Sequence, residues 1–210
     1  MIRILLADDH ELMRRGLRSL LKDAFPDLVI GEALDAGQTL LAVEKQAWHL
    51  VLLDINMPGR NGLDVLQDLK RLFPKLPVVI LSAFPEKDYA ARAFKLGASG
   101  YVSKQSASDE LLAAVRKALA GGRYITPSLG EVLAATVAGD SSAVPHDLLS
   151  NRELQVLRLV ASGKSLKQVA AELSLSEKTI GTYRSRISQK IGLSTNVELA
   201  RYATLHQLVD

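Results

Sequence analysis

The chain contains no cysteine, and this absence removes several kinds of chemistry at once. Without a thiol there is no disulfide, no thiolate nucleophile and no thiolate metal site. Aromatic residues make up only 5% of the 210 residues. No apolar run approaches the roughly 18 residues that a membrane span requires, and Met1 leads directly into a strand pattern with no signal-peptide pattern before it. We therefore expect a cytoplasmic protein without a membrane partner.

The net charge of +3 is distributed unevenly along the chain. Residues 148–210 carry nine Lys or Arg and five Asp or Glu, whereas the other 147 residues carry 17 and 18. The basic excess therefore lies wholly in the last third, which indicates a polyanionic partner such as nucleic acid. A solvated helical face explains the same charge equally well, so composition alone leaves both interpretations open.

Apolar runs typical of buried strands alternate with amphipathic stretches over residues 1–122. Such alternation predicts βαβ units and a parallel sheet covered by helices on both faces. The expected fold class is therefore α/β, with a doubly wound, five-stranded parallel sheet. The predicted strands are Ile2–Asp8, Leu28–Leu34, Leu50–Ile55, Val78–Ala83 and Gly100–Ser103, and the predicted helices are Glu11–Phe25, Ala36–Gln46, Leu63–Phe73, Lys87–Leu96 and Asp109–Ala120.

The remainder of the chain divides into a linker and a small helical domain. Residues 123–147 are the predicted linker, with one short helical stretch around Leu129–Val137. Residues 148–210 are predicted to be all-α with four helices, the first of which begins at a capping box formed by Ser150 and Glu153. A short helix, a tight turn and the longer basic helix Glu177–Ile191 make a helix-turn-helix pattern, and a last helix is predicted from Asn196 to about Leu208.

Five polar side chains follow the ends of four predicted strands. Asp8 and Asp9 follow the first strand and Asp54 ends the third, while Ser82 and Lys104 close the fourth and fifth. Open parallel sheets bind ligands at the carboxyl ends of their strands, so we expect these side chains to share one site. Clustered carboxylates repel one another, and a hard cation such as Mg²⁺ relieves that repulsion. The alternative, in which the acids are helix caps or surface charges, leaves Ser82 and Lys104 unexplained.

These residues resemble the receiver domain of two-component response regulators, which has a flavodoxin-like fold. The resemblance covers about residues 1–122 and includes Met57-Pro58-Gly59 after Asp54 and Gly100-Tyr101-Val102-Ser103 before Lys104. It implies that Asp54 is the phosphoacceptor and that a sensor histidine kinase is the phosphoryl donor. The Mg²⁺ ligands that it implies are Asp8, Asp9, Asp54 and the backbone carbonyl of Asn56.

The same resemblance assigns roles to three residues of the last two strands. Ser82 and Lys104 would contact the phosphoryl oxygens, and Ser82 and Tyr101 would form a switch pair in which Tyr101 moves inward on phosphorylation. Two alternatives remain open, namely a receiver that no longer accepts phosphate and a Tyr101 that simply packs at a strand edge.

The last third resembles the LuxR-type helix-turn-helix of the NarL/FixJ family over about residues 148–210. The residues that carry this resemblance include Leu149-Ser150-Asn151-Arg152-Glu153, Gly163-Lys164-Ser165, Thr179-Ile180 and Lys190-Ile191-Gly192. The resemblance implies binding to double-stranded promoter DNA, with Gly181, Thr182 and Ser185 facing base edges in the major groove. Candidate phosphate contacts are Lys164, Lys167, Lys178, Thr179, Tyr183, Arg184, Arg186 and Lys190.

Together, the two resemblances predict a phosphorylation-controlled transcription regulator that is not an enzyme beyond its own phosphoryl transfer and dephosphorylation. The phosphorylated protein is expected to form a homodimer through its last helix, around Val197, Leu199, Ala200 and Ala203. One alternative is a constitutive DNA-binding protein whose receiver serves only for oligomerisation. The other is a phosphotransferase or phosphatase built on aspartyl chemistry.

Overall fold

The computed structural model describes residues 1–83, 86–106, 108–131, 144–206 and 208–209, with only the backbone of residues 86–88. The chain forms two compact units, Met1–Asp140 and Ser141–Asp210. The predicted boundaries of the linker, at residues 123 and 147, remain a prediction. Among the described residues, no helix combines the length and the apolar character needed to cross a membrane.

The first unit contains a five-stranded parallel sheet in which the second strand lies at one edge, followed by the first, third, fourth and fifth, and this order confirms the predicted doubly wound α/β fold. The turn residues that follow the apolar runs place the strand boundaries to within one residue. All five strands begin where predicted, and the first four end one residue earlier than predicted. The strands are β1 (Ile2–Ala7), β2 (Leu28–Ala33), β3 (Leu50–Asp54), β4 (Val78–Ser82) and β5 (Gly100–Ser103), and the helices are α1 (Glu11–Ala24), α2 (Ala36–Lys45), α3 (Gly62–Leu72), α4 (Glu86–Lys95) and α5 (Ser108–Leu119).

The core of this unit lies on both faces of the sheet, because alternate strand residues point to opposite sides. Leu52 and Leu81 face α1 and α5, where they pack among Leu17, Leu21 and Val115. β3 and β4 are buried along their whole length. Burying each such Leu or Val side chain contributes about 1.5–3 kcal/mol, so the central strands form a rigid support for the residues at their ends.

The chain that follows α5 stays attached to the first unit. The amide of Tyr124 donates to the carbonyl of Ser99 at 2.8 Å, beside an isolated parallel bridge between Gly100 and Tyr124. Residues 127–131 are helical, and Leu129 is buried. The rest of the helix predicted around Leu129–Val137 lies outside the described residues.

The second unit is all-α, as predicted. A short 3-10 helix, Pro145–Leu148, precedes α6 (Asn151–Ala161), α7 (Leu166–Glu172), α8 (Glu177–Ile191) and α9 (Asn196–Leu205). Each of the four α-helices begins at a residue whose side-chain hydroxyl accepts a hydrogen bond from the backbone amide three residues on. These residues are Ser150, Ser165, Ser176 and Thr195. Such caps satisfy amides that the first helical turn leaves free.

The last helix ends earlier than predicted. α9 stops at Leu205, whereas the sequence pattern extended it to about Leu208. The amide of Leu208 instead turns back to the carbonyl of Ala203 at 2.7 Å, and the Leu208 side chain is buried. A helix end can satisfy its last carbonyls through such return bonds, so an apolar residue beyond the end still contributes to the core.

Candidate functional site

Asp8 and Asp54 meet where the order of the strands reverses. β1 pairs with β2 on one side and with β3 on the other, so the crevice of this doubly wound sheet lies at the carboxyl ends of β1 and β3. Asp8 directly follows β1 and Asp54 is the last residue of β3. Their exposed fractions are 2% and 1%. The sheet therefore places two buried carboxylates at the position where this fold binds ligands.

Lys104 joins these two carboxylates. Its Nζ lies 2.8 Å from Oδ2 of Asp54 and 2.7 Å from Oδ2 of Asp8. The amide of Lys104 donates to the carbonyl of Ser82 at 2.7 Å, which fixes the turn after β5 against the end of β4. Three of the residues predicted from separate strand ends thus converge on one ion-paired cluster.

The surroundings of Asp54 disfavour its charged form. Burial raises the pKa of Asp54 above its ordinary value and the nearby Asp8 raises it further, although Lys104 and the amide of Asn56 act in the opposite direction. Burial alone would lower the pKa of Lys104, but the charges of Asp54 and Asp8 outweigh it and hold that pKa above its usual range. The cluster therefore contains more negative charge than one lysine balances.

The same cluster offers ligands for a divalent cation. One ligand atom from each of Asp8, Asp9, His10 and Asp54 lies within 4.8 Å of all the others. The amide of Asn56 donates to Oδ1 of Asp54 at 3.0 Å, which places the Asn56 backbone beside the acids. Carboxylate oxygens are the ligands that hard cations prefer. This donor set, with its excess of negative charge, fits a divalent cation.

His10 is a member of the cluster that the sequence pattern did not single out. Its Nδ1 lies 3.1 Å from Oδ1 of Asp8 and 3.0 Å from Oδ1 of Asp9. His10 also precedes the first residue of α1, which is the role that its position in the sequence suggested. Its place directly after the acid pair was the only available signal of these contacts.

Ser82 and Tyr101 lie on one face of the sheet. The register pairs Ser82 with Ser103 and Ile80 with Tyr101. Because Ile80 and Ser82 are two residues apart on one strand, their side chains point to the same face, and Tyr101 shares that face. Tyr101 is 1% exposed and Ser82 is fully buried. Tyr101 therefore occupies an inward position, and its role in a switch stays a prediction.

The faces of α8 divide as the helical spacing predicts. Ile180 and Ile187 are buried, whereas Thr182 and Ser185, two of the predicted base-facing residues, are exposed. Gly181, the third, is half-buried. The Thr182 hydroxyl donates to the carbonyl of Lys178 at 3.1 Å.

The predicted phosphate contacts fall into two groups. Lys167, Lys178 and Arg186 are exposed, and Thr179 and Tyr183 are half-exposed. The other three are engaged by protein partners. Lys164 pairs with Glu172, Arg184 binds Asn196 and the carbonyl of Ser194, and Lys190 pairs with Glu153. All eight assignments stay predictions, and the first group is the freer to meet a polyanion.

Comparison with known proteins identifies both units. The family model for the response regulator receiver domain matches residues 4–116, and the model for bacterial regulatory proteins of the luxR family matches residues 147–203. The chain belongs to the LuxR-type response regulators. It is therefore a response regulator with a receiver domain and a LuxR-type DNA-binding domain.

The chain is similar to known response regulators over nearly their whole length. Response regulator GacA of Pseudomonas protegens is 36% identical over 210 residues, which cover all of this chain and 99% of GacA. Response regulator UvrY of Escherichia coli K12 is 33% identical over 211 residues, which cover all of this chain and 97% of UvrY. The structure of RcsB from Salmonella enterica serovar Typhimurium bound to promoter rprA in the presence of phosphomimetic BeF3⁻ matches with a TM-score of 0.64 and 27% identity, covering 97% of this chain and 99% of that one.

One expectation about α9 of the LuxR-type domain is wrong. Leu199 and Ala203 are 1% and 0% exposed, because the side of α9 that carries them faces the interior of its own unit. They are therefore unavailable for pairing with a second copy. Val197 and Leu205 are 79% and 77% exposed and Ala200 is half-buried, so these three apolar residues of α9 remain for such a contact.

Gly62 supports the receiver site through a close backbone approach that the sequence pattern did not reveal. Its amide donates to the carbonyl of Ile55 at 2.9 Å, and a Cβ at this position would lie 2.7 Å from the Cα of Ile55 and would overlap the carbonyl of Asp54. Asn61 caps α3 beside it, accepting from the amide of Leu63 at 2.8 Å. The start of α3 is thus pressed against the residue that ends β3.

We expect Gly62→Ala to lower the free energy of unfolding by about 1–3 kcal/mol, because the added methyl group overpacks a backbone that has little room to move. Chemical denaturation followed by circular dichroism measures this change. Gly16→Ala is the matched control, since a Cβ there meets no described atom within 4 Å and α1 gains a better helix former. A Gly62→Ala variant as stable as wild type would contradict the close approach.

We expect Asp54→Asn to stabilise the protein at neutral pH in the absence of divalent cations. The pKa of Asp54 is raised above its ordinary value of 3.8 by folding, so its ionised form costs stability at neutral pH and this cost disappears below 3.8. The melting temperature of Asp54→Asn at pH 7 should therefore lie above that of wild type. Calorimetry at pH 7 and in acid measures the difference, which should shrink as the pH falls; a lower melting temperature at pH 7 would contradict the account.

Proposed function

We propose that this chain is a phosphorylation-controlled transcription regulator in which Asp54 is the phosphoacceptor. The observation that carries the proposal is the ion-paired cluster at the ends of β1, β3 and β5, where Lys104 lies within 2.8 Å of both Asp54 and Asp8. A carboxylate nucleophile at the ligand-binding end of the sheet, an acidic metal-binding set and a fixed cation are the parts that phosphoryl transfer to a carboxylate requires.

In the proposed transfer, a carboxylate oxygen of Asp54 forms a bond to phosphorus and the P–N bond of a sensor kinase phosphohistidine breaks. The electron pair of that bond returns to the imidazole nitrogen, which takes up a proton from solvent. Lys104 stabilises the charge on the phosphoryl oxygens, and the Ser82 hydroxyl donates a hydrogen bond to one of them.

The cation that best suits this site is Mg²⁺. Asp8, Asp9, Asp54 and the backbone carbonyl of Asn56 would hold it. When bound, Mg²⁺ would supply positive charge that lowers the repulsion between the carboxylates and an incoming phosphoryl group.

Phosphorylation adds about −1.5 to −2 charges at Asp54. A phosphoryl group draws the cation of Lys104 and the hydroxyl of Ser82 toward its oxygens. The movement of Ser82 leaves space on the same face of the sheet, and Tyr101 moves into that space. The effect is a population shift, which requires the phosphoryl group to favour the active conformation over the resting one. The surface around α4 and β5 carries this difference to the DNA-binding domain.

The LuxR-type domain provides the output by binding promoter DNA as a homodimer. The solved RcsB complex contains promoter DNA and a phosphomimetic, and this chain resembles it over 97% of its length. A two-fold dimer places two α8 helices in successive major grooves, about one helical turn of DNA apart. We propose that Val197 and Leu205 contribute apolar contact to the pairing.

We propose a cytoplasmic regulator whose only catalysis is on its own phosphoryl group. Steady turnover of a small phosphate ester by the wild type, lost in Asp54→Asn, would instead support an enzyme. A DNA affinity and oligomeric state indifferent to acetyl phosphate and Mg²⁺ would support a constitutive DNA-binding protein.

Genome-wide mapping of binding sites tests the proposal in the cell. Cells carrying the wild type should show occupied promoters with a paired, symmetric sequence element. Occupancy of the same promoters should fall in cells carrying Asp54→Asn at an equal protein level. Equal occupancy in the two strains would refute phosphorylation control, and an absence of discrete sites in both would refute specific promoter binding.

A further inference from the structure

Lys190, at the end of the recognition helix α8, contacts a buried acid of another helix. Its Nζ lies 2.6 Å from Oε2 of Glu153, which belongs to the first turn of α6. The Glu153 side chain is 4% exposed and the Lys190 side chain is 38% exposed. The pair joins residues 37 positions apart in the chain.

Glu153 is itself held in place by the capping box of α6. Its Oε2 accepts from the amide of Ser150 at 2.7 Å, while its own amide donates to the Ser150 hydroxyl at 3.3 Å. Burial alone would raise the pKa of Glu153, but the bonds from Lys190 and Ser150 outweigh it and hold that pKa below its ordinary value. Glu153 is therefore charged at neutral pH, and a buried charge of this kind is costly without its partner.

Arg152, the neighbour of Glu153, binds the start of the turn that leads into the recognition helix. Its Nη2 donates to the carbonyl of Leu173 at 3.0 Å and its Nη1 donates to Oε1 of Gln155 at 2.7 Å. Leu173 is the C-cap of α7 and opens the tight turn into α8, where Ser174 has a φ of +53°. Two consecutive residues of α6 therefore contact both the turn before α8 and α8 itself. Arg152 binds the start of that turn, and Glu153 binds Lys190 in the last turn of α8.

We infer that the first turn of α6 sets the position of the recognition helix, and that Lys190 is a positioning residue bound to Glu153 rather than a contact to the DNA backbone. A lysine drawn to a fixed, buried carboxylate loses a partner if it turns toward a phosphate. Among the predicted phosphate contacts, Lys178 and Arg186 are exposed and are better placed for that role. This inference rests on the proposed DNA binding by α8.

A double-mutant cycle on DNA affinity tests the inference in the full-length protein. Glu153→Gln and Lys190→Met should each weaken binding to a target duplex by about tenfold, and the double variant should be no weaker than either, because residues of one ion pair couple strongly. The slope of log affinity against log salt should remain that of wild type. Fluorescence anisotropy over a range of salt concentrations measures both quantities.

A phosphate contact by Lys190 would give a different result. Lys190→Met would then lower the salt slope by about one, and Glu153→Gln would release Lys190 and tighten DNA binding. Either result would overturn the inference. Glu172→Gln is the matched control, since it removes an exposed acid paired with Lys164, and its effect should simply add to that of Lys190→Met.

Amide NMR spectra decide the inference independently of DNA. Glu153→Gln and Lys190→Met should shift the same recognition-helix signals, including that of Gly181, and shifts in unrelated sets of signals would overturn it. A wild type that binds no DNA duplex would refute the proposed function, while the NMR comparison would still settle whether α6 positions α8.

Discussion

Asp54→Asn should abolish covalent labelling of the protein by radioactive acetyl phosphate in the presence of Mg²⁺. The amide of asparagine keeps the size of the side chain and can still accept from the backbone of Asn56, but it is too weak a nucleophile to form the acyl phosphate. The residues Asp8, Asp9 and Lys104 are unchanged in this variant, so a loss of labelling reports on the Asp54 carboxylate itself and not on the residues around it. Phosphate incorporation, measured by gel autoradiography and intact mass, should fall to background.

Asp23→Asn is the matched control for this experiment. Asp23 is exposed near the end of α1, far along that helix from the acidic cluster, and its variant should be labelled like wild type. An Asp54→Asn protein that still gains a phosphoryl group with wild-type stoichiometry would contradict the assignment. Labelling lost in both variants would indicate a general defect in the protein instead.

Arg186→Ala should weaken DNA binding at every sequence to a similar extent. Arg186 is exposed on α8, away from the buried Ile180 and Ile187, and a charged hydrogen bond to phosphate is worth about 1.5–3 kcal/mol. Affinity should therefore fall by about tenfold or more, and the salt slope should decrease by about one. Anisotropy titrations with a target duplex and an unrelated duplex measure both effects.

Lys45→Ala provides the comparison for Arg186→Ala, because Lys45 is an exposed cation in the last turn of α2 in the receiver. It lowers the net charge by the same amount and should leave the salt slope unchanged. An Arg186→Ala protein with an altered base preference would contradict a phosphate contact, and Arg186 would then belong with the residues that read bases.

The fold was predictable because its signals are local. An apolar run such as Leu50-Val51-Leu52-Leu53 followed by Met57-Pro58-Gly59 specifies where β3 ends, and the hydroxyl caps mark where helices begin. The positions of Asp8, Asp54 and Lys104 were equally predictable, since the topology of a parallel sheet brings the carboxyl ends of its strands together.

Contacts between distant parts of the chain were not predictable. Lys190 has the same local pattern whether it binds DNA or Glu153, and only the packing of α8 against α6 distinguishes these partners. Likewise, an apolar stripe such as Leu199 and Ala203 is typical of both an interior and a dimer surface, and burial decides between them. The close approach at Gly62 depends on where α3 starts in space, which no sequence spacing encodes.

The affinity of the full-length protein for a target promoter duplex, measured with and without beryllofluoride and Mg²⁺, tests the central claim most directly. Beryllofluoride should raise the affinity of the wild type by about five- to 150-fold, the usual range of coupling between two sites in one protein. The same addition should leave Asp54→Asn unchanged. An equal affinity of the wild type in both conditions, or an equal gain in Asp54→Asn, would contradict control of DNA binding through Asp54.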